Sequence, residues 1–120
     1  MITLKSVLKS LCGSKGVVGA LVITKDGMVI ESNLPPSHNP ETLAAFMSQI
    51  AVTVTNSLNM LGVKEFTRYV MQSGQSKVYI LDLGRSALIA LADVDVDAGE
   101  VNVAIFQAAN SIKKTGRIDV

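Results

Sequence analysis

Apolar residues near the start of the chain recur with the spacing of an amphipathic helix. Residues at i, i+3, i+4 and i+7 lie on one side of a helix, and four apolar residues have this spacing: Leu4, Val7, Leu8 and Leu11. Gly13 follows them. Glycine is frequent just after a helix because it accepts the left-handed backbone conformation, so the pattern predicts a short first helix that ends at Gly13.

Two apolar runs around Asp26-Gly27 predict a β-hairpin. The first, Val17 to Thr24, is almost wholly apolar and does not alternate, as expected for a strand that is covered on both faces in the middle of a sheet. Asp-Gly between apolar runs is the strongest short-range hairpin signal, because both residues tolerate a positive φ. Residues 28–32 would return as the second strand, and the proline-containing segment 33–39 would form a loop.

A long helix is predicted to begin at Asn39-Pro40. Asparagine is a favoured N-cap, and proline fits the first helical position. Apolar residues then recur at helical spacing until Gly62, which would end the helix. The predicted core face consists of Leu43, Phe46, Met47, Ile50, Ala51, Val54, Leu58 and Leu61.

The remainder of the chain predicts three strands and a last helix. The strands cover residues 65–73, 77–83 and 86–92, with glycine-containing turns between them. The third strand is nearly all apolar and is therefore expected in the middle of the sheet. The helix begins near residue 99, where Asp97 and Glu100 have the spacing of a capping box. Its predicted buried face comprises Val101, Ile105, Ala108 and Ile112.

These elements follow one another in the order α-ββ-α-βββ-α, which predicts an α/β (α+β) fold. A chain of 120 residues suffices for one domain with its own core. We find no internal repeat, linker or low-complexity segment. The prediction is a single domain over residues 1–120, with residues 113–120 as a candidate flexible tail.

The outward side of the long helix lacks charge. A helix on the surface of a soluble monomer normally shows charged residues to the solvent, yet none occurs from Thr42 to Val63. A quiet surface helix is one explanation; a second packing face that meets another protein is the one we favour. The residues predicted on this face are Ala45, Ser48, Gln49, Val52, Asn56, Asn59 and Met60.

The strand that follows is expected at the edge of the sheet, since it is the first of three consecutive strands. Unguarded edge strands invite pairing with another chain. Glu65 and Arg68 would discourage such pairing, whereas apolar side chains such as Phe66 and Val70 favour it. The predicted dimer or partner interface therefore also includes Phe66, Arg68 and Val70.

Composition excludes several classes of function. The net charge of +1, the absence of tryptophan and the scattered basic residues argue against nucleic-acid binding and against attraction to acidic membranes. No apolar run reaches the roughly 18 residues of a membrane span, and the first residues lack the apolar core of a signal peptide. A cytoplasmic protein without membrane insertion is expected.

Metal and phosphate motifs are incomplete in this sequence. The segment DVDVDAGE at 93–100 begins like a calcium loop, but Ala98 stands where that loop needs glycine and Ala104 where it needs glutamate. The segment LCGSKG at 11–16 lacks the spacing of a phosphate-binding loop. One cysteine excludes an internal disulfide and most zinc sites. We expect no cofactor and no metal.

Catalysis by the chain itself has weak support. Cys12 and His38 are the candidate nucleophile and base. Cys12 lies at the end of a predicted helix and His38 in a proline-rich loop, so a half-buried thiol and a solvent-exposed imidazole explain them more simply. No carboxylate pair shares one shielded face. The sequence predicts a protein that is not an enzyme.

Taken in order, these motifs resemble the roadblock (dynein light chain) family, especially its small prokaryotic, MglB-like members. The resemblance covers nearly the whole chain. It is carried by the strand GVVGALV at 16–22, the turn Asp26-Gly27, the LG at 83–84, and the segment LADVDVDAG at 91–99, which leads into the last helix.

The resemblance implies a three-layer α/β/α domain of roadblock/profilin-like type with a five-stranded antiparallel sheet. It further implies homodimers joined through the long helix and the neighbouring edge strand, and binding of a Ras-like small GTPase as a regulator, scaffold or GTPase activator. A structural subunit of a motor or signalling assembly, without nucleotide dependence, is the alternative. A small ligand-binding sensory domain is a further alternative, although the apolar strands offer few polar groups for a pocket.

Overall fold

The computed structural model describes residues 3–64, 68–95 and 98–114. Within them the predicted order of elements is confirmed. The predictions for Glu65, Phe66 and Asp97, and for residues 115–120 of the candidate tail, lie outside the described residues. The helices and strands are α1 Leu4–Cys12, β1 Val17–Thr24, β2 Val29–Asn33, α2 Pro40–Met60, β3 Arg68–Gln72, β4 Ser76–Asp82, β5 Ser86–Asp93 and α3 Ala98–Lys113.

The five strands form one antiparallel sheet in the order β2-β1-β5-β4-β3. The two strands with continuous apolar runs, β1 and β5, are neighbours in its interior, as the sequence predicts. β3 is an edge strand, also as predicted. The sheet therefore has one edge at the β1–β2 hairpin and the other at the strand that follows α2.

Helices cover both faces of the sheet, which confirms the three-layer α/β/α architecture. On one side, which we call the α1/α3 face, Ala20, Tyr79 and Leu88 pack against apolar residues of α1 and α3. On the opposite side, the α2 face, Leu21 and Ile89 pack against Ala44 and Met47 of α2. Because side chains alternate along a strand, the central strands contribute to both cores, which is why their sequences are apolar throughout.

Capping hydrogen bonds fix where the first two helices begin. The Asn39 side chain accepts a hydrogen bond from the Thr42 backbone N–H (Oδ1···N 3.0 Å), which confirms the predicted N-cap. Thr3 and Ser6 form a reciprocal capping box at α1, which the sequence analysis missed. Gly13 does follow α1, but its φ of −77° is right-handed, so the reason given for a glycine there is wrong.

The β1–β2 hairpin lies beneath the first half of α2. Its loop is closed by Thr24, whose backbone N–H donates to the Met28 carbonyl oxygen at 2.8 Å. Gly27 has a φ of +96°, and a Cβ placed on it would lie 2.7 Å from the Oγ atom of Ser48. Glycine is therefore required twice over at this position: by its backbone conformation and by the close approach of α2.

Replacing Gly27 with alanine should destabilise the domain by about 1–3 kcal/mol, because a Cβ at positive φ is strained and would displace Ser48. Urea denaturation measures the change. Gly74→Ala is the matched control, since a methyl group on Gly74 would have no heavy atom within 4 Å and the backbone there has no positive φ. Equal free energies of unfolding for the two variants would contradict the packing of the hairpin against α2.

Candidate protein-interaction surface

Helix α2 rests on the sheet mainly through its first half. Ala44 is fully buried and Met47 is nearly so. Further along, Ala51, Val54 and Leu58 are only partly buried, although they continue the same helical stripe. The second half of the helix thus has apolar surface that the described residues cover only in part.

The predicted rotation of α2 needs correction at three positions. The sequence predicts Ser48 on the outward side, but it is only 9% exposed and its hydroxyl donates to the Ala45 carbonyl oxygen at 2.9 Å. It predicts Phe46 and Leu61 in the core, but they are 58% and 78% exposed. Ser48 packs closely against Gly27 of the hairpin, so this side of α2 faces the sheet and Phe46 lies on the other side, whereas Leu61 is the C-cap, one residue past the end of α2.

The other predicted residues of α2 are exposed and lie on its outward side. With the two corrected apolar residues and Val63 just beyond the helix, they form a continuous uncharged region that we call the α2 surface. Its large apolar members are exposed by 45% or more. The α2 surface comprises Ala45, Phe46, Gln49, Val52, Asn56, Asn59, Met60, Leu61 and Val63.

A groove of about 400 Å³ runs along one flank of α2, between its second half and the sheet. Val52 and Asn56 line it from the helix, and Ile80 and Ala87 line it from the strands. Tyr69 of the edge strand β3 also lines it and shares a hydrogen bond with Thr55 of α2 (O···O 2.8 Å). The groove therefore joins the α2 surface to the edge of the sheet.

A charge pair lies in the same groove. The Lys25 ammonium donates to the Asp82 carboxylate at 2.6 Å, and the Gly84 backbone N–H donates to the same oxygen at 2.7 Å. Partial burial acts to raise the pKa of Asp82, but these hydrogen bonds and the charges of Lys25 and Lys113 outweigh it and hold that pKa below its ordinary value. Asp82 is thus a firmly ionised carboxylate that connects the hairpin loop to β4, and it is poorly suited to proton transfer.

The two edges of the sheet differ. In β2, the Ser32 backbone N–H is occupied by the Glu31 carboxylate at 3.2 Å, and the Asn33 carbonyl oxygen accepts from the Cys12 thiol at 3.5 Å. Such local contacts hinder the addition of another strand. β3 pairs with β4 alone among the described strands. β3 is therefore the edge better suited to pairing with a second chain.

The side chains of β3 are divided between the two faces of the sheet. Tyr69 lies opposite Ile80 and faces α2, whereas Val70 lies opposite Tyr79 and faces α1 and α3. Arg68 shares the face of Val70, and its Nη1 donates to the Asn102 side chain of α3 at 3.3 Å. The structure thus does not bring the predicted residues Arg68 and Val70 together with the α2 surface, although all of them border the same sheet edge.

The candidate catalytic residues have ordinary surroundings. Burial raises the pKa of the Cys12 thiol, which disfavours the nucleophilic thiolate. His38 is exposed in the loop before α2.

Over residues 3–64, 68–95 and 98–114, no three His, Cys, Asp or Glu side chains are grouped so that they could hold a metal ion. In the same ranges, no helix has the length and hydropathy needed to cross a membrane.

Solved structures with this fold include MglB proteins and a Roadblock/LC7 domain. The chain is 18% identical to Myxococcus xanthus MglB, with a TM-score of 0.86 over 92% of both chains. It is 17% identical to a Roadblock/LC7 domain from Streptomyces avermitilis, with a TM-score of 0.83 over 93% of this chain and 96% of that one. Acanthamoeba castellanii profilin II, at 14% identity and a TM-score of 0.65, shares the architecture over 96% of this chain and all of the profilin.

Sequence comparison points to the same family. The chain is 29% identical over 107 residues to each of two proteins of Methanocaldococcus jannaschii, MJ0310 and MJ1340, which covers 89% of this chain and 94% of each relative. The family model described as Roadblock/LC7 domain matches residues 3–93, a span that contains α1, all five strands and α2. The chain belongs to the Roadblock/LC7 family.

Proposed function

We propose that this protein is a homodimeric regulator or scaffold that acts in the cytoplasm by binding a Ras-like small GTPase. Membership of the Roadblock/LC7 family and the likeness to MglB structures support a GTPase-regulator-like role at the level of the family. The observation that carries the proposal for this chain is the uncharged α2 surface beside the edge strand β3, which pairs with β4 alone among the described strands.

Two copies would associate through these neighbouring features. Antiparallel pairing of β3 with β3 of a second copy would join the two five-stranded sheets into one. The exposed apolar side chains Val52, Met60 and Leu61 would then bury surface that is costly to leave in water. Asn56 and Asn59, which are uncharged and carry both donors and acceptors, can enter such a contact without the desolvation cost of an ion.

Regulation would come from the shape of the dimer rather than from catalytic residues of the chain. A GTPase activator can supply an arginine to the transition state or reposition the GTPase's own groups. Arg68 is engaged with Asn102 of α3, and the other described arginine, Arg85, lies in the β4–β5 turn and also has an interaction partner. We therefore propose repositioning as the mode of action and assign no catalytic residue.

The experiment is nucleotide-dependent capture. Tagged protein is incubated with native lysate in parallel with a non-hydrolysable GTP analogue and with GDP, and a recovered GTPase is then purified and titrated directly. We expect one Ras-like GTPase to be enriched with the analogue by about tenfold or more, the ratio expected from a coupling free energy of ~1.4 kcal/mol. Hydrolysis rates of that GTPase with and without the protein then separate an activator from a scaffold.

The alternative function has a distinct outcome in the same experiment. Equal recovery of one set of partners with both nucleotides would indicate a structural subunit of a larger assembly and would contradict GTPase regulation. Val103→Glu serves as a control bait, because Val103 is an exposed valine on α3, outside the α2 surface.

A further inference from the structure

Charge is divided unequally between the two helical layers of the domain. α1 carries Lys5 and Lys9, and α3 ends at Lys113 with Lys114 directly after it; all four lysines are exposed. Glu100, in the first turn of α3, is the only carboxylate on these two helices. α2, on the opposite face, has one acidic residue and no basic one. The net charge of +1 therefore conceals a basic side, and the local distribution of charge decides which partners are attracted.

Lys5 and the two lysines of α3 lie toward the same end of the sheet. The Asp93 backbone N–H donates to the Gly16 carbonyl oxygen at 2.9 Å, so α3 begins beside the point where α1 has ended. α3 then runs back along the sheet, because Lys113 borders the same groove as Asp82, the last residue of β4. The two helices pack against each other in opposite directions, which brings the start of α1 toward the end of α3.

The carboxylates around this side do not neutralise the four lysines. Asp93, Asp95 and Glu100 lie before α3 or in its first turn, at the other end of that helix. The Glu31 carboxylate, at the β2 edge, accepts a hydrogen bond from the Ser32 backbone N–H. Within the described part of the chain, none of the four lysines forms an ion pair. Their ammonium groups can therefore meet an anionic partner.

Between these lysines, the middle of α3 exposes apolar side chains. From Val101 to Ile112 the helix contains no charged residue, and Val103 and Phe106 are 56% and 62% exposed. Their spacing of three residues places them on one side of the helix. Exposed apolar side chains flanked by lysines are typical of helices that lie at a membrane–water interface. Lysine stems can extend over apolar surface while the ammonium group remains at the headgroups.

The proposed dimer would present two such sides in the same direction. Antiparallel pairing of β3 with β3 of a second copy places the twofold axis perpendicular to the sheet. The α1 and α3 helices of both copies then lie on one side of the joined sheet, and both α2 helices lie on the other. Four lysines per chain become eight per dimer. Clusters of about four to eight basic residues are a feature of proteins that bind anionic lipids.

We propose that the outward side of α1 and α3 binds an anionic membrane surface. The four lysines contact the lipid headgroups, and Val103 and Phe106 enter the boundary between headgroups and acyl chains. A lipid surface fits better than a folded partner, because these side chains are spread along the crests of two helices and a fluid surface needs no matching shape. The inference rests on the homodimer proposed above, and it turns the α2 side away from the membrane.

Co-sedimentation with lipid vesicles tests the electrostatic contact. The vesicles consist of phosphatidylcholine alone or with one third phosphatidylserine. We expect the protein to sediment only with the anionic vesicles and to be released by high salt, which screens exposed charges. Lys114→Glu should weaken binding by about 25-fold or more, because each lysine near the surface contributes about fivefold and each dimer loses two. Lys64→Glu, an exposed lysine just beyond α2, is the matched control and should change the affinity by less than about threefold.

A tryptophan reporter tests the apolar contact. The chain contains no tryptophan, so Phe106→Trp introduces a single one on the proposed membrane side. We expect its fluorescence emission to shift to shorter wavelength when anionic vesicles are added, as the indole leaves water. Met28→Trp is the control, since Met28 is 66% exposed in the β1–β2 hairpin, away from α1 and α3. Its emission should not shift.

Several outcomes would overturn the membrane contact. These are absence of binding to anionic vesicles, equal binding to neutral ones, equal losses in Lys114→Glu and Lys64→Glu, or an unshifted Phe106→Trp emission. Binding of poly-glutamate without binding of vesicles would show an acidic protein to be the partner instead. Monomeric protein in sedimentation velocity would refute the homodimer, whereas a dimer that stays in solution with anionic vesicles refutes the membrane contact alone.

Discussion

Ala20→Asp is expected to abolish cooperative folding. Ala20 is fully buried in β1, between Asn33 of β2 and Ala90 of β5. Its side chain joins the apolar cluster beneath α1 and α3. A carboxylate there would be surrounded by aliphatic groups, and burying an unpaired polar or charged group costs several kcal/mol. The free energy of unfolding of a domain is only about 5–15 kcal/mol. One such buried charge would therefore remove most or all of it.

Urea denaturation followed by circular dichroism, together with the dispersion of amide signals in an NMR spectrum, measures this effect. We expect the variant to lack both a cooperative transition and native dispersion. Val18→Asp is the matched control on the same strand, because Val18 is 41% exposed and can keep an added carboxylate in water. A folded Ala20→Asp variant with an unchanged midpoint would contradict the placement of β1 inside the sheet.

The central part of the fold could be predicted because its signals are local. An almost wholly apolar run from Val17 to Thr24 suits a strand with helices on both faces, and β1 has that environment. Asp26-Gly27 specifies a hairpin through its tolerance of positive φ, and Asn39 specifies a helix start through one side-chain hydrogen bond. Each of these signals lies within a few residues of the structure that it determines.

The rotation of α2 could not be predicted from its own residues. Apolar side chains surround this helix, so helical spacing fits more than one core stripe, and Phe46 and Met47 look equally suited to burial. The buried side of α2 is marked by a contact that is distant in sequence: Ser48 lies so close to Gly27 that a Cβ on the glycine would be 2.7 Å from the Ser48 Oγ atom. Periodicity contains no information about that contact.

Which face of the sheet each β3 side chain lies on could not be predicted either, for a similar reason. Alternation shows that Tyr69 and Val70 point in opposite directions, but not which of them faces α2. The register with β4 decides it, since Val70 lies opposite Tyr79. The exposure of Phe106 was also missed, although the uncharged stretch of α3 resembles that of α2 and the same argument about missing charge would have found it.

Val52→Glu is expected to convert the proposed dimer into a folded monomer. Val52 is 52% exposed in the chain and lies where the α2 surface meets the groove beside β3. In the monomer the new carboxylate would remain in water at little cost. In the proposed dimer it would be buried against uncharged side chains of the second copy. A penalty of ~3 kcal/mol for an unpaired interfacial charge corresponds to a rise of about 100-fold in the dissociation constant.

Sedimentation velocity over a range of protein concentrations measures this change, with circular dichroism to confirm that the variant is folded. Val103→Glu is the matched control, since it makes the same substitution at 56% exposure on the opposite face of the sheet. If Val52→Glu remained dimeric with an unchanged dissociation constant, the α2 surface would not be the dimer contact. If the Val103→Glu variant were monomeric instead, the dimer contact would lie on α3. The lack of charged residues on α2 would then indicate binding of a different partner there.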